Sequence, residues 1–312
     1  MQNIFITGGF GNLGSHLAKY LSSNKYRVIL GTRKDVSSPE WCRDAEVIKI
    51  DWSNLSNLSI VLSKIDTVIH AAGMNAKNCK IDPDRANTFN CDSTLKLIQL
   101  SKLSGVKKFL FFSTSNVYSD KLEGDINEDT PTLGTSPYSL SKLVGERQLL
   151  QEANKNFHGI VLRLSNIFGA PLDTNMDCWD LIINNLTKEV IESNTLTLRG
   201  QKNDQRDFLP INVFCNYIFH IIRQNYGQKK IINIGSGKSY TVNEIVKFIS
   251  NLHYSNSKKK CEEIYINEQS KKKLIKLNYS SKYFIRTDTL NNDEFKRELN
   301  NIYKYCLENF SQ

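Results

Sequence analysis

A chain of 312 residues with 40% apolar content can bury one large α/β domain, or such a domain with a smaller C-terminal lobe. No stretch is long and apolar enough to span a membrane, and the seven scattered cysteines contain no C-x-x-C pair, which argues against disulfides and structural zinc. The net charge of +9 suits an anionic small-molecule partner; without basic–aromatic interleaving or zinc-finger spacing it does not point to a specific nucleic-acid function.

The first residues read as a strand rather than a signal peptide, so the expected location is the cytoplasm. Ile4-Phe5-Ile6-Thr7 is a short apolar run, followed by Gly8-Gly9-Phe10-Gly11-Asn12-Leu13-Gly14 and then by Leu13, Leu17 and Leu21 at helical spacing. Strand, glycine turn and helix in that order are the context that gives a G-x-x-G-x-x-G match its meaning. Gly8 and Gly11 allow a tight turn and close backbone approach to a pyrophosphate, with Phe10, Asn12 and Leu13 completing the loop. The helix N-terminus then faces the negative charge.

Arg27–Arg33 reads as a second strand. An acid near its end would hold a ribose 2′-hydroxyl; here Thr32, Arg33 and Lys34 come first and Asp35 late. A guanidinium pairs with a 2′-phosphate, so Arg33 favours NADP(H), with NAD(H) as the alternative. Val47–Trp52 is a third strand ending in Asp51 and Trp52, placed to contact an adenine. Asp66–Gly73 is a fourth, whose small Ala71, Ala72 and Gly73, with Met74 next, leave room for a cofactor. His70 is most simply a core or strand-end histidine. Asp82–Leu103 reads as one long helix containing Asn90, and Lys107–Ser113 as a fifth strand running into Thr114-Ser115-Asn116-Val117-Tyr118.

Pro137 suits a first helical turn, which would put Tyr138 and Lys142 on one helix face. An ammonium beside a phenol favours the phenolate, so the expectation is a Tyr138 proton affinity below the ordinary value. Beyond residue 165 a smaller lobe is expected. Its elements are amphipathic helices at Trp179–Val190 and Val242–Leu252, a strand at Glu263–Ile266 and a last helix at Asn292–Phe310. Lys258–Lys260 and Lys271–Lys276 flank that strand, and the stretch 258–276 carries seven Lys and three Glu.

The chain resembles the extended short-chain dehydrogenase/reductases, the nucleotide-sugar epimerase/dehydratase family. The resemblance rests on TGGFGNLG at 7–14, VIHAAG at 68–73, Asn90, FSTSNVY at 112–118, YSLSK at 138–142, LRLSNIFGAP at 162–171, RDFLPINV at 206–213 and NIGSG at 233–237. It implies a Rossmann-type doubly wound parallel sheet with a smaller C-terminal α/β lobe. The dinucleotide domain would span 1–165, with about 206–240 returning to it, and 166–312 would form mainly the substrate lobe. By the same resemblance Tyr138 is the acid/base, Lys142 its partner, and Thr114 the group that bonds the reacting sugar oxygen, with the flanking Ser113 and Ser115 as the alternatives should the register differ by one. Ser115, Asn116 and Met74 would line the substrate, while Asn166 and Arg206 would grip a nucleotide diphosphate. Dehydratases of the family place an Asp-Glu pair where this chain has Ser115 and Asn116, so dehydration is not expected. Reduction of a 4-keto nucleotide sugar is the expected reaction, with C4 epimerisation on retained NAD as the alternative. A non-catalytic cofactor sensor on the same fold is a further one. A homodimer is expected by resemblance.

Overall fold

The computed structural model describes residues 1–266, 275–283 and 292–311, and divides into two compact units. The first comprises Met1–Lys121, Glu128–Leu164 and Cys215–Ile234. Its strands are β1 (Asn3–Thr7), β2 (Arg27–Thr32), β3 (Glu46–Lys49), β4 (Thr67–His70), β5 (Lys108–Thr114), β6 (His158–Leu164) and β7 (Lys229–Ile234). They form one parallel sheet in the order β7-β6-β5-β4-β1-β2-β3. The order reverses between β1 and β4, and a ligand crevice opens outside the carboxyl ends of such strands.

A parallel sheet covered on both faces needs apolar runs rather than alternation. Ile4, Phe5 and Ile6 of β1 are wholly buried, as are Val68 and Ile69 of β4 and Phe109 and Leu110 of β5. Each such side chain contributes about 1.5–3 kcal/mol by leaving water. The flanking helices used below are α1 (Asn12–Ser23), α2 (Ala76–Ile81), α3 (Ser93–Leu103) and α4 (Pro137–Glu152).

The continuous helix expected over Asp82–Leu103 is divided. Asp82 caps the short helix Pro83–Ala86 by accepting from Arg85 N, a π-helical turn occupies Asn87–Asp92, and α3 follows. Periodicity sees one apolar stripe across the three pieces; the extra residue of a π turn is a tertiary adjustment, and such turns cluster at functional positions. The third strand also stops short, at Lys49 rather than Trp52, because Asp51 turns back to accept from Ser53 N at 2.9 Å.

His70 is a core residue, as read: Nδ1 meets Thr7 Oγ1 at 2.6 Å and Nε2 meets Thr94 Oγ1 at 2.9 Å. Burial, with the Lys142 charge as a lesser cause, pushes its pKa down to about 3. The folded form is therefore neutral where an unfolded His, at about 6.5, takes a proton. Stability should be complete above about pH 6.5 and fall by about 1.4 kcal/mol per pH unit as the pH drops toward 3. Urea unfolding of His70→Gln should lose that share of the slope between pH 4 and 6; an unchanged slope would exclude His70 as its source.

The second unit comprises Leu122–Asn127, Ser165–Phe214 and Gly235–Gln312. Gln205–Pro210 pairs in parallel with Asn166–Phe168 and antiparallel with Ser239–Thr241. The chain belongs to the first unit again over Cys215–Ile234, within the expected return at about 206–240, and rejoins the large sheet at β7. Glu262–Ile266 pairs with Thr195–Arg199. Helices Ile182–Ser193, Val242–Ser257 and Asn292–Phe310 complete the unit around Phe168, Val190, Phe208, Ile249 and Ile302. Helix Ile182–Ser193 begins three residues later than expected, and the lysines at 271–273 lie outside the described residues. Among the described residues no helix is long and apolar enough to cross a membrane.

Candidate active site

The turn after β1 is built for close approach. Gly8 has φ +68°, and a Cβ there would stand 2.8 Å from Ala72 N, so only glycine fits against the end of β4. Gly11 N donates to Gly8 O at 2.9 Å, Phe10 packs edge-on to Trp41 with ring centroids 5.9 Å apart, and Leu13 is half-buried. Asn12 opens α1, is 8% exposed, and neither polar atom of its side chain has a hydrogen-bond partner. Buried amides are normally satisfied, so an orphaned one at a helix N-terminus fits an incoming anionic group. The residues present therefore fit a dinucleotide. Ala71 and Ala72 are half-buried and Gly73 is exposed; a Cβ on Gly73 would fall 3.1 Å from Lys142 Nζ.

Beyond β2, Arg33 is exposed and its guanidinium carbon lies 5.6 Å from the Phe89 ring centroid. Phe89 also meets Trp52 edge-on at 5.3 Å. Sequence reasoning missed Phe89 because a regular helix gives no reason to single it out; the π turn carries it. The Asp51 carboxylate is held below its ordinary range by its hydrogen bonds with Ser53.

Helix α4 starts where Pro137 and the Ser136 cap place it, Ser136 Oγ accepting from Ser139 N at 3.2 Å. Lys142 is 6% exposed; its Nζ donates to Phe112 O at 3.0 Å and lies 5.8 Å from the Tyr138 ring centroid. The expected lowering of Tyr138 is not found. Burial, reinforced by Cys79, pushes the phenol up to about 12, and burial pulls Lys142 down to about 8 against the charges of Cys79, Cys91 and Glu146. The ammonium is held on a strand carbonyl, so desolvation outweighs its field at the phenol. Thr114 ends β5 at 8% exposure and its Oγ1 accepts from Asn116 N at 3.2 Å. Ser115 is buried and Asn116 exposed, with Asn116 O accepting from Ser139 Oγ at 3.0 Å.

Asn90, carried on the π turn, accepts from Met74 N at 2.7 Å and donates to Ser141 Oγ at 3.1 Å. It ties the segment after β4 to the helix bearing Tyr138. Ser141 was given no role within its motif, and Glu146 and Arg163 were not foreseen; Ser113, the alternative to Thr114 in the sequence, meets those two beneath this site. One signal was available: Arg163 interrupts the apolar run Ile160–Leu164, and a charge inside a central strand requires a buried partner. Which residue supplies it is not a local property.

In the second unit Asn166 Nδ2 donates to Asp207 O at 3.0 Å, and Arg206 is exposed on the adjoining strand. Asp207 is buried and accepts from Ser236 N at 2.8 Å and Ser236 Oγ at 2.9 Å. Burial raises its pKa against these bonds.

A glycine turn at the switch point of a parallel sheet, with a tyrosine and a lysine one helical turn apart nearby, is the arrangement that a dinucleotide-dependent short-chain dehydrogenase type of site would need. A family model described as the NAD dependent epimerase/dehydratase family matches residues 4–235. The chain belongs to this family of NAD-dependent nucleotide-sugar enzymes. A UDP-glucose 4-epimerase of Erwinia amylovora is 30% identical over 279 residues, covering 79% of this chain and 81% of that protein. Two solved structures share the fold. The UDP-N-acetylglucosamine 4-epimerase from Methanobrevibacter ruminantium M1, in complex with UDP-N-acetylmuramic acid, has a TM-score of 0.83 and 24% identity, covering 98% of each chain. The UDP-glucuronic acid 4-epimerase from Bacillus cereus, in complex with UDP-glucuronic acid and NAD, has a TM-score of 0.79 and 22% identity, covering 98% of this chain and 99% of that one.

Proposed function

We propose that the protein interconverts C4 epimers of a nucleotide-diphosphate sugar, with NAD retained through the cycle. The observation that carries the reading is the set Thr114, Tyr138 and Lys142 beside a glycine turn fitted to a dinucleotide, with Ser115 and Asn116 where a dehydration would need acids. The relatives named above as 4-epimerases favour this reading over the 4-keto reduction that Arg33 suggests.

NAD, when bound, supplies a reversible hydride acceptor for the sugar carbon. Gly8, Gly11 and Asn12 would hold its pyrophosphate, and Gly73 and Lys142 would border its ribose. Tyr138 takes the proton of the sugar hydroxyl and returns it to the oxygen of the epimer, so no proton is consumed over the cycle. Thr114 holds that oxygen. At neutral pH the phenol is in the donating form, and taking a proton needs the cationic Lys142 turned toward it. We assign the diphosphate to Asn166 and Arg206 of the second unit, which we take as the substrate lobe. Leu140 and Val144, 50% and 37% exposed on α4, support a homodimer through that helix; light scattering measures it.

The test is to purify the protein, ask whether it carries NAD, and supply UDP-, dTDP-, GDP- and CDP-linked sugars in hydroxy and 4-keto forms. Interconversion of two hydroxy sugars without consumption of added cofactor supports the reading. Stoichiometric loss of NADPH with a 4-keto sugar would replace it by the reductase. Arg33 separates the two cofactors. On the NAD reading, Arg33→Ala should change NAD affinity by less than about threefold, whereas a lost charge-assisted phosphate contact would weaken NADP by about ten- to a hundredfold. Fluorescence titration of both dinucleotides measures this, and tighter native binding of NADP would overturn the NAD assignment.

A further inference from the structure

We propose that Ser113, Glu146 and Arg163 form a buried positioning device that holds helix α4, and with it Tyr138 and Lys142, at a fixed spacing from Thr114. The proposal rests on the catalytic reading above.

Tyr138, Lys142 and Glu146 follow one another at four-residue intervals on α4, so they descend one face of the helix. The first two belong to the site. The third turns inward at 2% exposure. Its carboxylate accepts from Ser113 Oγ at 2.5 Å, from Arg163 Nε at 3.0 Å and from a terminal guanidinium nitrogen of Arg163 at 2.6 Å. Ser113 immediately precedes Thr114, and Phe112 before it supplies the carbonyl that receives Lys142. The last residues of β5 are thus tied to α4 on two successive turns of the helix. Gly145 permits this approach: a Cβ there would stand 2.6 Å from Phe111 Cζ. Arg163 lies with its guanidinium carbon 4.7 Å from the Tyr118 ring centroid, and Tyr118 OH donates to Asn233 Oδ1 at 2.7 Å, which extends the network to β7.

The energetics favour positioning over stability as the purpose. A buried ion pair is often replaceable by apolar side chains of similar volume with no loss of stability, because desolvation cancels most of the Coulomb gain. What apolar side chains lack is direction. A bidentate guanidinium–carboxylate pair with a third donor admits one orientation of Glu146, and hence one rotation of α4 about its axis. A displacement of about 1 Å at reacting groups can cost about a hundredfold in rate. Lys142 needs such a tether, since its own bond to Phe112 O does not survive if the ammonium turns to the phenol. Glu146 also places a negative charge one turn below the ammonium. The other titratable groups around Lys142 are Tyr138 on its own helix, Cys79 on α2, Cys91 on the π turn and His70 on β4.

The mild variant is Ser113→Ala, which keeps the ion pair and removes one tether. It should lower kcat about three- to thirtyfold while KM and NAD content stay at wild-type values. Glu146→Gln removes the charge. In protein labelled with ¹⁵N-lysine its Lys142 nitrogen should titrate about 0.5–1 pH unit lower than in the wild type, an NMR measurement that needs no substrate. Wild-type kcat in Ser113→Ala, or an unmoved Lys142 titration in Glu146→Gln, would overturn the proposal. If Glu146→Gln does not fold, the Ser113→Ala kcat decides. A wild-type protein that interconverts no sugar would remove the proposed function instead, and the Lys142 titration would still test the device.

Discussion

Replacing Tyr138 by Phe should lower turnover by about 10²–10⁴-fold, the range over which a positioned acid/base acts. Affinity for NAD should stay within about twofold, because the ring remains and only the hydroxyl leaves. The two measurements separate chemistry from folding: single-turnover assays with the accepted sugar, and fluorescence titration of the dinucleotide. The effect should lie in kcat rather than KM, since a proton in flight matters most in the transition state. With the phenol up at about 12 in the folded protein, the step that takes a proton is the demanding one, and the wild-type rate should rise with pH through the neutral range. Tyr138→Phe should lose that rise. A Phe variant that turns over at the wild-type rate would leave Tyr138 without its assigned role.

The largest loss of stability should come from Arg163→Met. Arg163 and Glu146 are 5% and 3% exposed along their side chains, so the pair is sealed from water. Burial opposes the Arg163 charge, and the Glu146 carboxylate more than restores it, holding the guanidinium above its ordinary range. Removing the arginine leaves a carboxylate without a counter-charge, at a cost of about 3–5 kcal/mol. That is a large share of the 5–15 kcal/mol that about holds a domain together. The double variant Arg163→Met with Glu146→Leu should regain most of the loss, because no charge is then left buried. Urea unfolding of the single and double variants gives the comparison, and a double variant no more stable than Arg163→Met would contradict the electrostatic account. Fold recovery in the double variant should come without recovery of kcat, since directionality at Ser113 is not restored.

Much of this molecule was legible as sequence. The apolar runs of β1, β4 and β5 announce strands covered on both faces, and the glycine spacing after β1 announces a turn that admits a pyrophosphate. Pro137 and the Tyr138–Lys142 interval announce a helix start and a shared face. These features depend on residues within one or two turns of each other, where periodicity and steric rules operate directly. The motif resemblance carried the reading to the family. It did not separate reductase from epimerase, since both need the same three residues.

What the tertiary structure decided has one physical origin: it depends on partners distant in sequence or on exclusion of water. The π turn at Asn87–Asp92 breaks the helix that periodicity predicts, and so brings Asn90 to Met74 and Ser141 and Phe89 to Arg33 and Trp52. Glu146 finds Arg163 at 17 residues and Ser113 at 33, separations that no local pattern encodes. The proton affinity of Tyr138 is the plainest case. The sequence by itself determined that a lysine would stand one helical turn away, and local reasoning made that the controlling charge. Packing then buried Lys142, half-buried Tyr138 and held the ammonium on Phe112 O, so desolvation, a property of the whole fold, set the phenol above its ordinary value.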